Sequence, residues 1–243
     1  MKTLVVIPTY NERENIESIL TSSLHSGSAD VSILVVDDAS PDGTGRLADE
    51  ISVNHPGRVF VMHRPAKSGL GSAYLDGFRF GLERGFEALC EMDADGSHDP
   101  AALPLLIAAV EKGADVAVGS RRVRGGRVTG WGPHRHLMSW GAMTFAKIAL
   151  GLKTNDVTSG FRCYRAPVAA AILRLPIASS GYAFQEETIY YCEKMGFRVR
   201  EIPIVFRDRV RGSSKLSFSE VPAFFRTIFR LRRAKFPGRR PSS

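Results

Sequence analysis

The sequence predicts an α/β fold, a mostly parallel central sheet with helices on both faces. Three observations carry this. Short apolar runs of strand length alternate with helical patterns from residue 4 to residue 118. The runs are apolar throughout instead of alternating in polarity, as in strands covered on both faces. A chain of 243 residues with 44% hydrophobic content can bury one large domain of this kind. In such a sheet, ligands bind outside the carboxyl ends of the strands.

Leu4 to Ile7 is the first run, followed by Pro8-Thr9-Tyr10-Asn11-Glu12. Asn11 with Glu14 three residues on reads as an N-cap and capping box, opening a helix with Ile16, Ile19, Leu20 and Leu24 at helical spacing. Ile33 to Val36 is the second run, ending in Asp37-Asp38 and the turn residues Ala39-Ser40-Pro41-Asp42-Gly43. Val59 to Met62 is the third, and Leu70, Ala73, Tyr74, Phe78 and Leu82 form a helical pattern after Gly69. Ala88 to Met92 is the fourth, leading into Asp93-Ala94-Asp95; Leu103, Leu106, Ile107 and Val110 follow at helical spacing after Pro100. Val116 to Val118 is the fifth. Beyond Ser120 the alternation fails, and Arg121 to Pro133, rich in Arg and Gly, reads as a mobile loop. From Thr158 to Val205 the pattern gives a strand, a helix near Gln185 to Lys194 and an extended run, Val199 to Phe206.

The tail differs from the body. Residues 207–243 carry 11 Lys or Arg against 2 Asp or Glu, a net of +9, leaving 22 against 23 in residues 1–206. Phe218, Val221, Phe224, Phe225, Ile228, Phe229 and Leu231 fall on one helical face and Arg226, Arg230 and Arg233 on the other, with Ser219 as cap and Pro222 in the first turn. That pattern fits either a helix lying in a membrane interface or one docked on the domain. A nucleic-acid enzyme would need a basic cleft, which the neutral body does not offer. No apolar run approaches the length of a membrane span, and Leu4 to Ile7 is too short for a signal-peptide core. Cys90, Cys163 and Cys192 have neither disulfide nor zinc spacing, so reduced thiols in the cytoplasm are expected.

The chemistry-bearing residues gather at strand ends. Asp93 and Asp95 offer hard oxygen ligands, which suit Mg²⁺ or Mn²⁺ shared with substrate phosphates. One acidic triplet alone could be solvated loop. Tyr10 can stack on a base while Glu12 or Asp37-Asp38 accepts N–H or O–H groups, although helix capping and turn formation would also account for these residues. Their convergence on one sheet edge points to a ligand. Gly69-Leu70-Gly71 has too few glycines for a dinucleotide fingerprint and lacks the P-loop ending. Phosphates would then be balanced by metal and arginine, and Arg121, just past the fifth run, is placed for that.

In combination these segments resemble the family 2 glycosyltransferases with a GT-A fold, and within them the dolichol-phosphate or polyprenol-phosphate mannose synthases. The resemblance runs from Leu4 to about Leu216. It rests on the segments above together with Gly119-Ser120-Arg121, Thr158-Ser159-Gly160-Phe161-Arg162, Gly181-Tyr182-Ala183-Phe184-Gln185 and Asp208-Arg209-Val210-Arg211-Gly212-Ser213-Ser214-Lys215. It implies a nucleotide-diphospho-sugar transferase domain over residues 1–215, with 216–243 as a basic amphipathic segment. The implied reaction moves mannose from GDP-mannose to a polyprenyl phosphate. Pro8, Tyr10, Glu12, Val36 and Asp38 would hold guanine and ribose, and Asp93, Ala94 and Asp95 would meet the sugar diphosphate. Asp95 would be the firmer ligand to Mg²⁺ or Mn²⁺. Arg121, Arg209 and Lys215 would contact phosphate groups, with help from Arg135. Some relatives carry Gln where this chain has Ser97, and the shorter hydroxyl leaves water to fill the metal shell. The resemblance also implies an anionic membrane surface as partner, at its cytoplasmic face, and leaves a separate membrane subunit open. Two alternatives stand beside it: UDP-glucose as donor, and a nucleotide-sugar or nucleic-acid binding protein without turnover.

Overall fold

The computed structural model describes residues 1–26, 30–179, 181–208 and 220–233. Seven strands form one sheet: β1 (Thr3–Thr9), β2 (Val31–Asp37), β3 (Val59–His63), β4 (Ala88–Glu91), β5 (Val116–Ser120), β7 (Arg162–Arg165) and β8 (Val199–Pro203), in the order β3-β2-β1-β4-β7-β5-β8. All neighbours are parallel except β7, which runs antiparallel to both β4 and β5. The five apolar runs are all strands, and a mostly parallel sheet follows from their crossover helices.

Alternation along β1 shows how the sheet is covered. Val5 and Ile7 face a core with α1 (Arg13–Leu24), α2 (Thr44–Val53) and α4 (Leu103–Glu111). Leu4 and Val6 face the opposite core, with α3 (Leu70–Glu83), α5 (Pro133–Leu150), α6 (Ala166–Ile172), α7 (Tyr182–Lys194) and α8 (Glu220–Arg233). Both faces are thus dry, which is why these strands carry no polar alternation.

Three readings of the sequence are corrected here. Asn11 does not cap α1; its backbone is left-handed at φ 56° and the helix opens after Glu12. The first-turn amides instead use the β2–α2 loop: the Asn11, Glu12 and Arg13 N–H groups donate to Ser40 Oγ, Thr44 Oγ1 and Asp42 Oδ2. The stretch 121–133 is not all loop, because β6 (Arg127–Thr129) pairs in parallel with β9 (Val205–Arg207). Arg230 does not lie opposite the docked face of α8: its Nη2 donates to Glu187 Oε2 at 2.8 Å and to Ser179 Oγ at 2.7 Å.

Helix α8 rests on α5 and α7 through Ile228 and Leu231, which are buried, and the Tyr190 hydroxyl donates to the Leu231 carbonyl. Phe225 and Phe229 remain exposed on its flank, and Arg226, Arg232 and Arg233 point outward. Phe218 and Ser219 lie outside the described residues. No described helix is long and apolar enough to cross a membrane. The three cysteines are buried and unpaired.

Candidate active site

The order β2-β1-β4 brings three strand ends side by side, so Asp37-Asp38, Tyr10 to Glu12 and Asp93 to Asp95 share one edge of the sheet. Because β7 is reversed, its beginning reaches that same edge. Gly119 N–H donates to the Phe161 carbonyl and Ser159 Oγ donates to the Gly119 carbonyl, which fixes the Thr158 to Phe161 loop there. The chain leaving β8 then folds back across the edge: Arg207 N–H donates to the Ser97 carbonyl, and Phe206 bridges to His98.

On the β1–β2 side the carboxylates are held by the protein. Asp37 accepts from Thr9 Oγ1, Ser40 Oγ and Ser40 N–H. Asp38 pairs with Arg64 at 2.9 Å and accepts the Ser68 and Gly69 amides. Ala39, next to it, has a left-handed backbone at φ 55°, which is strained for a residue with a Cβ. Glu12 Oε2 accepts from Asn15, and the Lys67 ammonium sits 3.9 Å from the centre of the Tyr10 ring. Pro8 is half-buried and Val36 fully buried beside them. These residues come together as the sequence predicts, with Arg64 as an unforeseen partner to Asp38.

At the end of β4, Asp95 is nearly buried and its Oδ1 accepts the Ser97 amide at 3.0 Å. Asp93 is more open; the Tyr74 hydroxyl donates to its Oδ1 at 3.2 Å. A Cβ at Gly160 would stand 3.3 Å from Asp93 Oδ2, so glycine keeps that side of the carboxylate clear. Among the described residues no group of three or more His, Cys, Asp or Glu could hold a metal by itself. Two carboxylates at an open edge nevertheless suit a hard cation that takes its remaining ligands from substrate phosphate and water, and not a zinc-type closed cage. The Ser97 hydroxyl is buried without a hydrogen-bond partner among the described residues.

Arg121 lies on the edge but is anchored. Its Nε and Nη2 donate to the two Asp156 oxygens at 2.7 and 2.6 Å, and Nη2 also donates to Thr158 Oγ1. Burial alone would raise the Asp156 carboxyl; the Arg121 charge and hydrogen bonds more than reverse that and hold it below the usual carboxylate range. Arg135 pairs with Asp208 and stacks 4.3 Å from the Trp131 ring. Arg209 and Lys215 lie outside the described residues.

Beneath the edge is a buried polar cluster that the sequence did not reveal. Arg162, fully buried on β7, donates to the Gln185 and Val157 carbonyls and to Thr188 Oγ1. Burial pushes the Glu91 carboxyl up to about 7 despite the opposing charge of Arg162. It pushes the Glu186 carboxyl up to about 9. Arg162 thereby ties the start of β7 to α7 from below.

An open α/β edge with paired carboxylates and no glycine-rich phosphate loop is the architecture of a nucleotide-sugar transferase, a class the comparisons with known proteins specify. The chain belongs to glycosyl transferase family 2, whose profile matches residues 4–173, and it is a glycosyltransferase. It is 49% identical over 220 residues to the polyprenol monophosphomannose synthase of Mycolicibacterium smegmatis, covering 90% of this chain and 83% of that one. It is 47% identical over 217 residues to the undecaprenyl-phosphate mannosyltransferase of Micrococcus luteus, covering 89% and 88% respectively. Among solved structures, glucosyl-3-phosphoglycerate synthase from Mycobacterium tuberculosis, in complex with Mn²⁺, UDP and phosphoglyceric acid, superposes with a TM-score of 0.69. The match covers 98% of this chain and 80% of that one at 19% identity, and shows the GT-A-like fold.

Proposed function

We propose that the chain transfers mannose from GDP-mannose to a polyprenyl phosphate, with inversion at the anomeric carbon. The observation that carries the reading is the Asp93-Ala94-Asp95 triplet at the end of β4, in a chain nearly half identical to two polyprenyl-phosphate mannosyltransferases. Tyr10 and Glu12, with Pro8 and Val36 behind them, receive the guanosine. Asp38 acts through the loop that it and Arg64 fix. Asp93, Ala94 and Asp95 face the sugar diphosphate. Asp93 and Asp95 hold Mg²⁺ or Mn²⁺, and a cation bound there would offset charge developing on the departing diphosphate. Arg209 and Lys215 contact phosphate, while Arg121 contributes positive charge from its anchored place beside Asp156.

A phosphate monoester has a second pKa of about 6, so the acceptor is mostly dianionic near neutral pH and needs no strong base. The protein's task is to align two anions and screen their repulsion. Direct displacement on an α-linked donor gives a β-mannosyl phosphate lipid. The test is a transfer assay with a panel of nucleotide sugars and a short polyprenyl phosphate, with and without Mn²⁺. Transfer from GDP-mannose that EDTA abolishes is expected. Transfer from UDP-glucose instead would move the chain to the glucosyl reading, and the absence of any transfer would overturn the enzymatic one.

The acceptor also calls for a membrane-facing surface, and helices α5 and α8 supply one. On α5, Met143, Ala146 and Leu150 are buried while Leu137, Met138, Trp140, Phe145 and Ile148 are exposed on the other side. A helix apolar on both faces is out of place at a water-facing surface. Phe145 meets Phe225 of α8 with ring centroids 5.4 Å apart, which joins the stripe to Phe229 and to the outward Arg226, Arg232 and Arg233. Residues 1–215 are thus read as the catalytic domain. Residues 216–243 are its membrane-facing segment, peripheral at the cytoplasmic leaflet. Co-sedimentation with anionic phosphatidylglycerol vesicles is expected to fall at least about tenfold when Ile148, Phe225 and Phe229 are all replaced by serine. Equal binding of the unaltered chain to neutral and anionic vesicles would defeat the electrostatic part.

A further inference from the structure

We propose that Tyr74 and His98 are positioning residues for Asp93, one set at each oxygen of its carboxylate; this rests on the reading of Asp93 as part of the donor-diphosphate site. The Tyr74 hydroxyl donates to Oδ1 at 3.2 Å, and His98 Nε2 lies 3.3 Å from Oδ2.

Each residue is buried in a way that packing alone does not explain. Tyr74, on α3, is completely inaccessible and stacks on Phe184 with centroids 6.0 Å apart. A phenylalanine would fill that space; the hydroxyl adds only a polar atom that must find a partner, and the partner it finds is Asp93. His98 is 2% exposed, between Phe161 at 5.1 Å and Phe206 at 5.5 Å. Neither of its ring nitrogens makes a hydrogen bond of normal geometry with the described residues. A buried imidazole left so is costly, and Asp93 is the acceptor within reach; a small turn of the carboxylate would complete the bond.

Both carboxylates are held by the protein. Asp95 is fixed within its own loop by the Ser97 amide. Asp93 is fixed from outside it, by α3 through Tyr74 and by the aromatic cage around His98, half of which comes from Phe206 on β9. Carboxylates that hold hard cations depend on such outer partners, whose loss weakens metal binding about 10- to 100-fold.

The experiment is a double-mutant cycle read by Mn²⁺ affinity, using the electron paramagnetic resonance signal of free Mn²⁺ titrated into the full chain, alongside thermal unfolding and kinetics. Tyr74→Phe and His98→Leu are each expected to weaken Mn²⁺ binding about 10-fold and to lower kcat. His98→Gln, which keeps an N–H near the Nε2 position, recovers most of the loss. In an Asp93→Ala background, neither Tyr74→Phe nor His98→Leu weakens binding further. Equal losses in both backgrounds, or unchanged Mn²⁺ affinity in the single variants, would overturn the proposal; Tyr74→Phe alone decides it if His98→Leu does not fold. Should Asp93→Ala itself leave Mn²⁺ binding unchanged, the donor-site reading of Asp93 fails first, and the positioning role with it.

Discussion

Replacing Asp95 with alanine is expected to cut mannosyl transfer by at least about 100-fold, the scale seen when one preorganised electrostatic group is removed from a transition state. The protein should stay folded, because the change removes a loop-end carboxylate that accepts the Ser97 amide and leaves both apolar cores intact. Single-turnover transfer and a thermal melt, measured side by side, separate the two effects. Turnover near that of the unaltered chain, together with indifference to EDTA, would rule out metal-assisted departure of the diphosphate.

The second large effect is on stability. Asp156 is fully buried and grips Arg121, whose side chain is 9% exposed, through two short hydrogen bonds. Asp156→Ala would strand that guanidinium without its counter-charge, at a cost of about 3–5 kcal/mol. In a chain of this size that corresponds to a drop in Tm of roughly 10 °C. The pH dependence has a definite sign. The Asp156 carboxyl is held below its unfolded value, so its contribution is complete above the ordinary aspartate range near pH 4 and is lost as pH falls toward the folded value. Acid melts of the unaltered chain should therefore lose stability more steeply than those of the variant. Parallel melting curves would mean that the pair contributes little.

Much of the fold was legible because its signals are local. Five apolar runs gave five strands, and Ile16, Leu70 or Leu106 with their helical neighbours gave α1, α3 and α4. Helix α2 left no such mark, since its buried residues are the small Thr44, Gly45 and Ala48. Helix α5 was missed for the opposite reason: apolar on both faces, it has no polar stripe to set its period, although Pro133 at its start and left-handed Gly151 at its end could have marked it. The strand expected after Thr158 is β7, but its central place in the sheet was not legible, because Arg162 looks like a surface residue until α7 and the Val157 carbonyl surround it.

At the site, the carboxylates and Tyr10 were readable from their places after strands. Their partners were not. Arg64 pairs with Asp38 from 26 positions away, and Tyr74 meets Asp93 from 19 away, so only the folded sheet shows these contacts. The aromatic cage of His98 is assembled from Phe161 and Phe206, far along the chain, so no local pattern foretells it.

The reversed strand also sets the order in which the molecule can be completed during synthesis. Residues 1–120 contain β1 to β5, yet β4 and β5 are joined only through their shared neighbour, residues 162–165, which is made later. Asp156, which grips Arg121, Gly160 beside Asp93 and Phe161 against His98 emerge just ahead of that strand, and Phe206, the other ring against His98, well after it. A nascent chain halted before residue 162 lacks the strand that joins β4 to β5. Insertion of a late, non-local strand is slow, as loop closure requires. Closing the seam between β4 and β5 thus also sets the Thr158 to Phe161 loop against the edge that carries Asp93 and Asp95.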